Sequence, residues 1–486
     1  MLLAALLSHF TQVSRSESVA VQDGEERTMA GTVDDDGAVV PVPGGNGDCT
    51  ADAPLAQWVP RLWPFLGHNS VAVRLSVLRS LLILTSDGGA PQPLNEWIPP
   101  LLPCMLRLLY QRCLLETSTE VLNLIYQVWE KVVRGAPLGP LLTAACPHMS
   151  SWLCLLMHPA HLQVDVVALQ WLVLPPNLKP DKRIRRAPGG PQEGPTAAPG
   201  GGPLLGGEVY LAGAESLNES PAERELLVLR CRCTAAKLLG LLSGLVTQPM
   251  PGLEAVVPPV VESPVESYAR LVLFHLASKS ALQRMMTAAV MAHWVTLHPD
   301  HLCPASVRDR VLECLGETLY FDEMASGFTR LQQDARDFIA LLRHFGLPLD
   351  PHFQPTVVLT VDQVIDLVTT VFQGLVQQVR LKPKVAESLE EKRRGLLKAA
   401  QQIQRDQVTL STRVQSSLAT FLVRLQRLPD KLNPVIRPLM ESIRREESPL
   451  LQEDSAHSLV RLMDSCVERV PCPNGKIVRN LLAYLC

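Results

Sequence analysis

The chain has 486 residues, enough for several domains or one long repeat array, with 45 basic against 48 acidic side chains and a formal charge of −3. That balance gives no support for broad electrostatic attachment to nucleic acid or to an acidic membrane. Hydrophobic residues make up 47% but aromatic residues only 5%, a leucine-rich composition that favours helices over strands.

Residues 1–13, beginning "MLLAALLSHF", are apolar but have no basic n-region and no clear cleavage site, so they read as part of a helix rather than a signal peptide. Residues 14–54 are polar, acidic and glycine-rich, and cannot bury enough apolar surface to offset the entropy of ordering. Helical repeats are expected over 55–174. "WVPRLWPFL" carries Pro60 and Pro64 and leads into "GHNSVAVRLSVLRSLLIL"; "WIPPLLPCML" carries Pro99 and Pro103 and leads into "STEVLNLIYQVWEKVV", with Leu122, Ile125, Trp129 and Val132 on one stripe. Pro60 to Pro99 is 39 residues, close to the roughly 40–47-residue period of HEAT or armadillo repeats.

Residues 175–221 include "APGGPQEGPTAAPGGGPLLGG" and read as a disordered Pro/Gly linker. Its basic cluster "KPDKRIRR", Lys179 to Arg186, is either a localisation signal or phosphate contact, or simply a solvated charge run. A shorter break follows at 247–264. Helical repeats are expected again over 222–380, with "ESYARLVLFHLA" paired to "SALQRMMTAAVMAHWVTL" and "SVRDRVLECLGETLY" paired to "GFTRLQQDARDFIALLRHFG". The mixed charges of Glu387 to Gln407 predict an exposed helix.

Over 381–486 the proline pair returns. Leu432, Val435, Ile436, Leu439, Met440 and Ile443 form one helical stripe, for which Asn433 is the expected N-cap and Pro434 the first helical residue. Pro438, one turn further in, is expected to kink the helix. Ala456, Leu459, Val460 and Met463 mark the partner helix. Three proline pairs at equal spacing, each leading into a second helix, predict an all-α, HEAT/armadillo-like α-solenoid with Pro/Gly-rich insertions, in preference to an ordinary bundle.

Chemistry is sparse. Gly475-Lys476 in "PNGKIVRN" lacks the upstream glycine and the Ser/Thr of a phosphate loop, and reads as a turn between helices. His293, His298, His301 and Cys303 form the densest metal-like cluster, but they straddle a helix end and a proline turn, and ordinary loop histidines are the expected outcome. Cys231 and Cys233 point to different helical faces, and the scattered cysteines behave as small hydrophobes, which favours a reducing compartment. No catalytic, cofactor-binding or metal-binding residue is expected, no apolar run is long enough to span a bilayer, and no partner-binding residue is assigned.

The last hundred residues carry more information. "LPDKLNPVIRPLMESI" followed by "PCPNGKIVRNL" closely resembles the central HEAT-containing region of the TATA-box-binding-protein-associated SWI/SNF-type ATPases, the modifier-of-transcription family. "TVDQVIDLVTTVFQGL" and "LEEKRRGLLKAAQQIQRDQ" fit the same region more loosely, and the resemblance is densest over Val361–Cys486, extending back to Ala51. The resemblance implies a nuclear HEAT scaffold that binds TATA-box-binding protein, within a regulator whose ATP- and Mg-dependent motor strips that protein from promoter DNA. It does not assign individual contact residues. The motor's motifs are not seen in this sequence, so the chain alone is expected to be no enzyme, and its end at "NLLAYLC" reads as a partial chain. A generic HEAT adaptor, of the transport-receptor or phosphatase-scaffold type, is the alternative.

Overall fold

The computed structural model describes residues 55–86, 93–160, 162, 211–212, 220–248, 262–296, 303–354, 356–378 and 382–485. The expected segments 1–13 and 14–54, the cluster Lys179–Arg186, and most of the Pro/Gly stretch lie outside the described residues. Among the described residues every regular element is a helix. The chain divides into two compact units, before and after Val257/Pro258, a boundary that falls inside the expected 222–380 segment.

The described residues of the first unit form a stack of three helix pairs. In each, the first member is broken by proline. Helix α1 (Leu55–Trp58) passes through a 3₁₀ turn at Val59–Leu62 into α2 (Trp63–Leu66), and α3 (Val71–Leu84) returns against it. Helix α4 (Leu94–Trp97), a 3₁₀ turn at Pro99–Leu101 and α5 (Leu102–Leu115) form the second first-member, with α6 (Thr119–Gly135) as its partner. Helix α7 (Leu138–Ala145), a turn at Cys146–His148 and α8 (Met149–Leu156) repeat the design, and the partner is α9 (Pro221–Val246). Proline supplies no N–H for an interior helical bond but sits without cost in a first turn. Pro60, Pro64 and Pro103 accordingly occupy the first two positions of their segments, so these helices are interrupted rather than merely bent.

Helix α9 packs on α5, α6, α7 and α8. The chain after the Pro/Gly stretch therefore returns to complete a pair opened before it. A local signal starts this return: Ser220-Pro-Ala-Glu223 forms a reciprocal capping box, satisfying two otherwise orphaned N–H groups. The core behind it joins Tyr110, Trp129 and Trp152, all at most 1% exposed, with Tyr110 Oη donating to the Trp152 carbonyl at 2.8 Å and Trp129 Nε1 donating to that of Leu238 at 3.0 Å.

The second unit opens with the same device, a capping box at Ser263-Pro-Val-Glu266, at the head of α10 (Pro264–Leu276). Helix α11 (Ala281–Trp294) pairs with α10 as expected, but α12 (Ala305–Gly316) does not take α13 (Ala325–His344) as its partner. It packs on α10, on the 43-residue α16 (Pro383–Leu425) and on α17 (Asn433–Arg445). Helix α13 instead joins α14 (Val361–Asp366), a π-turn at Leu367–Val371, α15 (Phe372–Gln378) and the first half of α16 around a separate core that includes Phe338, Leu342, Val364, Leu367, Leu389 and Leu396. Periodicity reports a buried stripe but not which neighbour buries it, which explains the misplaced pairing.

Leu389, Leu396, Ala400 and Ile403 also make the Glu387–Gln407 stretch a half-buried amphipathic helix rather than a wholly exposed one. At roughly 1.5 Å per residue α16 is about 65 Å long, and its second half, Val414 to Leu425, enters the solenoid core against α11, α17 and α18 (Pro449–Ser465).

At the third proline pair the structure corrects the expected N-cap. Helix α17 starts at Asn433 itself, Leu432 is the residue before it, and no side chain caps the first turn; the N–H groups of Val435 and Ile436 reach the Leu432 carbonyl at 3.0 and 2.9 Å. Pro438 is buried inside a continuous α-helix. Helix α19 (Asn474–Leu485) ends the described chain and buries Ile477 beside α17.

Candidate partner-binding surface

The turns that follow α5, α12 and α17 are pinned by a recurrent arginine–glutamate ion pair, fully buried in the first unit and partly exposed at Glu317. In the first unit Glu116 follows directly after α5 in extended conformation and is 0% exposed. Arg74, one turn into α3 and 1% exposed, donates to both its oxygens at 2.9 Å, and Arg112 is ion-paired to it at 2.9 Å. The same carboxylate accepts the N–H groups of Thr117 and Ser118 at 3.0 Å, which sets the start of α6. Arg74 also donates to the carbonyls of His68 and Asn69, holding its own turn.

The second unit carries this arrangement twice. Glu317, directly after α12, receives Arg284 of α11 at 2.6 Å and Arg310 at 3.0 Å, while Arg284 holds the Ser278 carbonyl. Burial works to raise the Glu317 carboxyl, but Arg284 and Arg310 together hold it below the ordinary carboxylate range. Glu446, directly after α17, receives Arg413 of α16 at 2.9 Å and accepts the Ser448 N–H at 3.1 Å. Each carboxylate thus ties one turn to the second helix of the preceding pair, and the turn edge is fixed before any partner arrives.

None of these arginines was singled out from sequence. Each pair spans 33 or 42 residues and its members look like surface charges when met singly. The available signal was the recurrence of Ser-x-x-x-Arg at the heads of α3 and α11, with a glutamate just past the facing first helix.

Of the metal-like cluster, His298 and His301 lie outside the described residues. The His293 ring is met by Arg424: Nη1 lies 3.1 Å from Nδ1 and 3.3 Å from Nε2, while Nη2 is 2.9 Å from Asp454. Among the described residues no three His, Cys, Asp or Glu side chains are arranged to hold a metal. Burial pushes the thiols of Cys303 and Cys231 up to about 12. At pH 8 the thiolate fraction of such a group is about one part in ten thousand, and the thiolate is the nucleophile. Iodoacetamide on the folded chain should therefore modify the exposed Cys154 and Cys472 first and reach Cys231 and Cys303 only on unfolding; peptide mass mapping reads the order. Gly475 and Lys476 stand in the first turn of α19, not in a turn between helices.

The two motifs that carry the family resemblance meet in space. A groove of about 420 Å³ lies between α17 and α19, lined by Asn433, Ile436, Arg437, Met440 and Glu441 from one side and Pro473, Lys476, Ile477, Asn480 and Tyr484 from the other. Met440 and Ile477 form its floor at 4% and 2% exposure. Glu441 is held by Arg445 at 2.8 Å, and the Arg444 guanidinium lies 5.3 Å above the Tyr484 ring.

The family profile described as a domain of unknown function (DUF3535) matches residues 128–486. The chain is 38% identical over 441 residues to TATA-binding protein-associated factor 172 of Homo sapiens, covering 90% of this chain and 23% of that protein. It is 25% identical to TATA-binding protein-associated factor BTAF1 of Arabidopsis thaliana and 22% identical to TATA-binding protein-associated factor MOT1 of Saccharomyces cerevisiae, across 89% and 88% of this chain. The chain spans only 22–24% of the length of these relatives. With helix pairs in both units, the match over 128–486 and similarity along nine-tenths of its length, the chain belongs to the DUF3535 family, in the region that TATA-binding protein-associated factors share.

Proposed function

We propose that the chain is a helical-repeat scaffold that binds TATA-binding protein, as the recognition part of an ATP-dependent regulator that removes this protein from promoter DNA and so controls RNA polymerase II transcription in the nucleus. The observation that carries the reading is the alignment of three relatives, each named a TATA-binding protein-associated factor, along about nine-tenths of the chain. Stacked helix pairs give an extended surface on which a folded partner can rest, and turns held by Arg74–Glu116, Arg284–Glu317 and Arg413–Glu446 lose little entropy when a partner docks on them. On this reading recognition belongs to the repeats, while force and ATP turnover belong to the remaining length of the larger proteins.

Purified chain should be retained, saturably and without ATP, by immobilised TATA-binding protein. It should show no ATP turnover of its own. Absence of retention under conditions that retain a full-length relative would remove the repeats from the gripping role.

A further inference from the structure

The groove between α17 and α19 has a charge pattern that the scaffold itself does not use. Its single acid, Glu441, is occupied by Arg445. Arg437 and Lys476 line the groove as exposed cations with no carboxylate of the described residues paired to them, and Arg444 stands over Tyr484 at one end. Three cations therefore flank an apolar floor of Met440 and Ile477, with Ile436 half-buried on the wall.

We propose that this groove is a docking site for an acidic amphipathic helix of a partner protein. The apolar face of such a helix, with anchors at i, i+3, i+4 and i+7, would lie over Ile436, Met440 and Ile477, and its carboxylates would meet Arg437, Lys476 and Arg444. The 12 residues of α19 set a length of roughly 18 Å, about three turns of an occupying helix. A nucleic-acid backbone fits less well. Its phosphates gain nothing from an apolar floor, and the groove keeps a carboxylate of its own, Glu441. The site is independent of the function proposed above and can stand or fall separately from it.

The test is fluorescence anisotropy on the whole chain with a labelled helical peptide of about 16 residues, leucine at the four anchor spacings and glutamate between them. A peptide with glutamine for glutamate and a labelled DNA duplex serve as the other probes. Saturable binding of the acidic peptide is expected, weakening with salt, and falling by about tenfold or more for the double variant R437E/K476E and for the glutamine peptide. Both substituted side chains are exposed, so the thermal melt of the variant should match that of the parent and exclude unfolding as the cause. No saturable binding, equal binding by the folded charge-reversed variant, or tighter binding of the duplex than of the peptide would each overturn the proposal. Loss of peptide binding with unchanged retention on TATA-binding protein would separate the two sites.

Discussion

Glu116→Ala is expected to destabilise the first unit by about 3–5 kcal/mol, the range for removing one member of a buried ion pair. The size follows from what the carboxylate leaves behind. Arg74, 1% exposed, would keep its charge with only two carbonyls to receive it, and the N–H groups of Thr117 and Ser118 would lose their acceptor. Urea unfolding followed by tryptophan fluorescence reads this well, because six of the seven tryptophans precede Val257. Glu116→Leu with Arg74→Leu should cost less than Glu116→Ala alone, since Arg74, the more deeply buried of the two arginines on this carboxylate, no longer leaves a stranded charge. It should not return to the parent value, because the two backbone donors remain unsatisfied. A single-variant loss below about 1 kcal/mol, as for an exposed pair, would show that the contact does not hold the turn.

This ion pair also marks where sequence reading stops. The apolar stripes on α6 and α17 and the proline-started first helices were legible because each depends on residues within a few turns of one another. Leu122, Ile125, Trp129 and Val132 are all at most 1% exposed, as their spacing required. Arg74 and Glu116 depend on a fold already formed, and nothing local distinguishes them from solvated charges. The same reason hid the partner of α12. Its apolar face is evident, but the helix that covers it, α16, arrives only after an excursion with its own core. For the groove the position was partly legible: the two motifs "LPDKLNPVIRPLMESI" and "PCPNGKIVRNL" supply its two walls, yet sequence alone could show only that they recur together.

Trp129→Ala should be the most damaging single core substitution in the first unit. Removing a fully buried tryptophan costs about 3–5 kcal/mol, and here the ring lies 6.4 Å from Tyr110 and 6.3 Å from Trp152 while its Nε1 holds α9 through the Leu238 carbonyl. Trp129→Phe separates the contributions. It keeps most of the apolar volume and loses the donor, so its cost should be only about 1–2 kcal/mol. The decisive reading is where protection is lost. Hydrogen exchange in the alanine variant should accelerate over 221–246 together with 102–135, since segments of one cooperative unit open together. If α9 kept its protection while α5 and α6 lost theirs, the Pro/Gly stretch would separate two folding units. Joint loss would instead make that stretch an insertion between the two helices of a single repeat, with Trp129 as the bond across it.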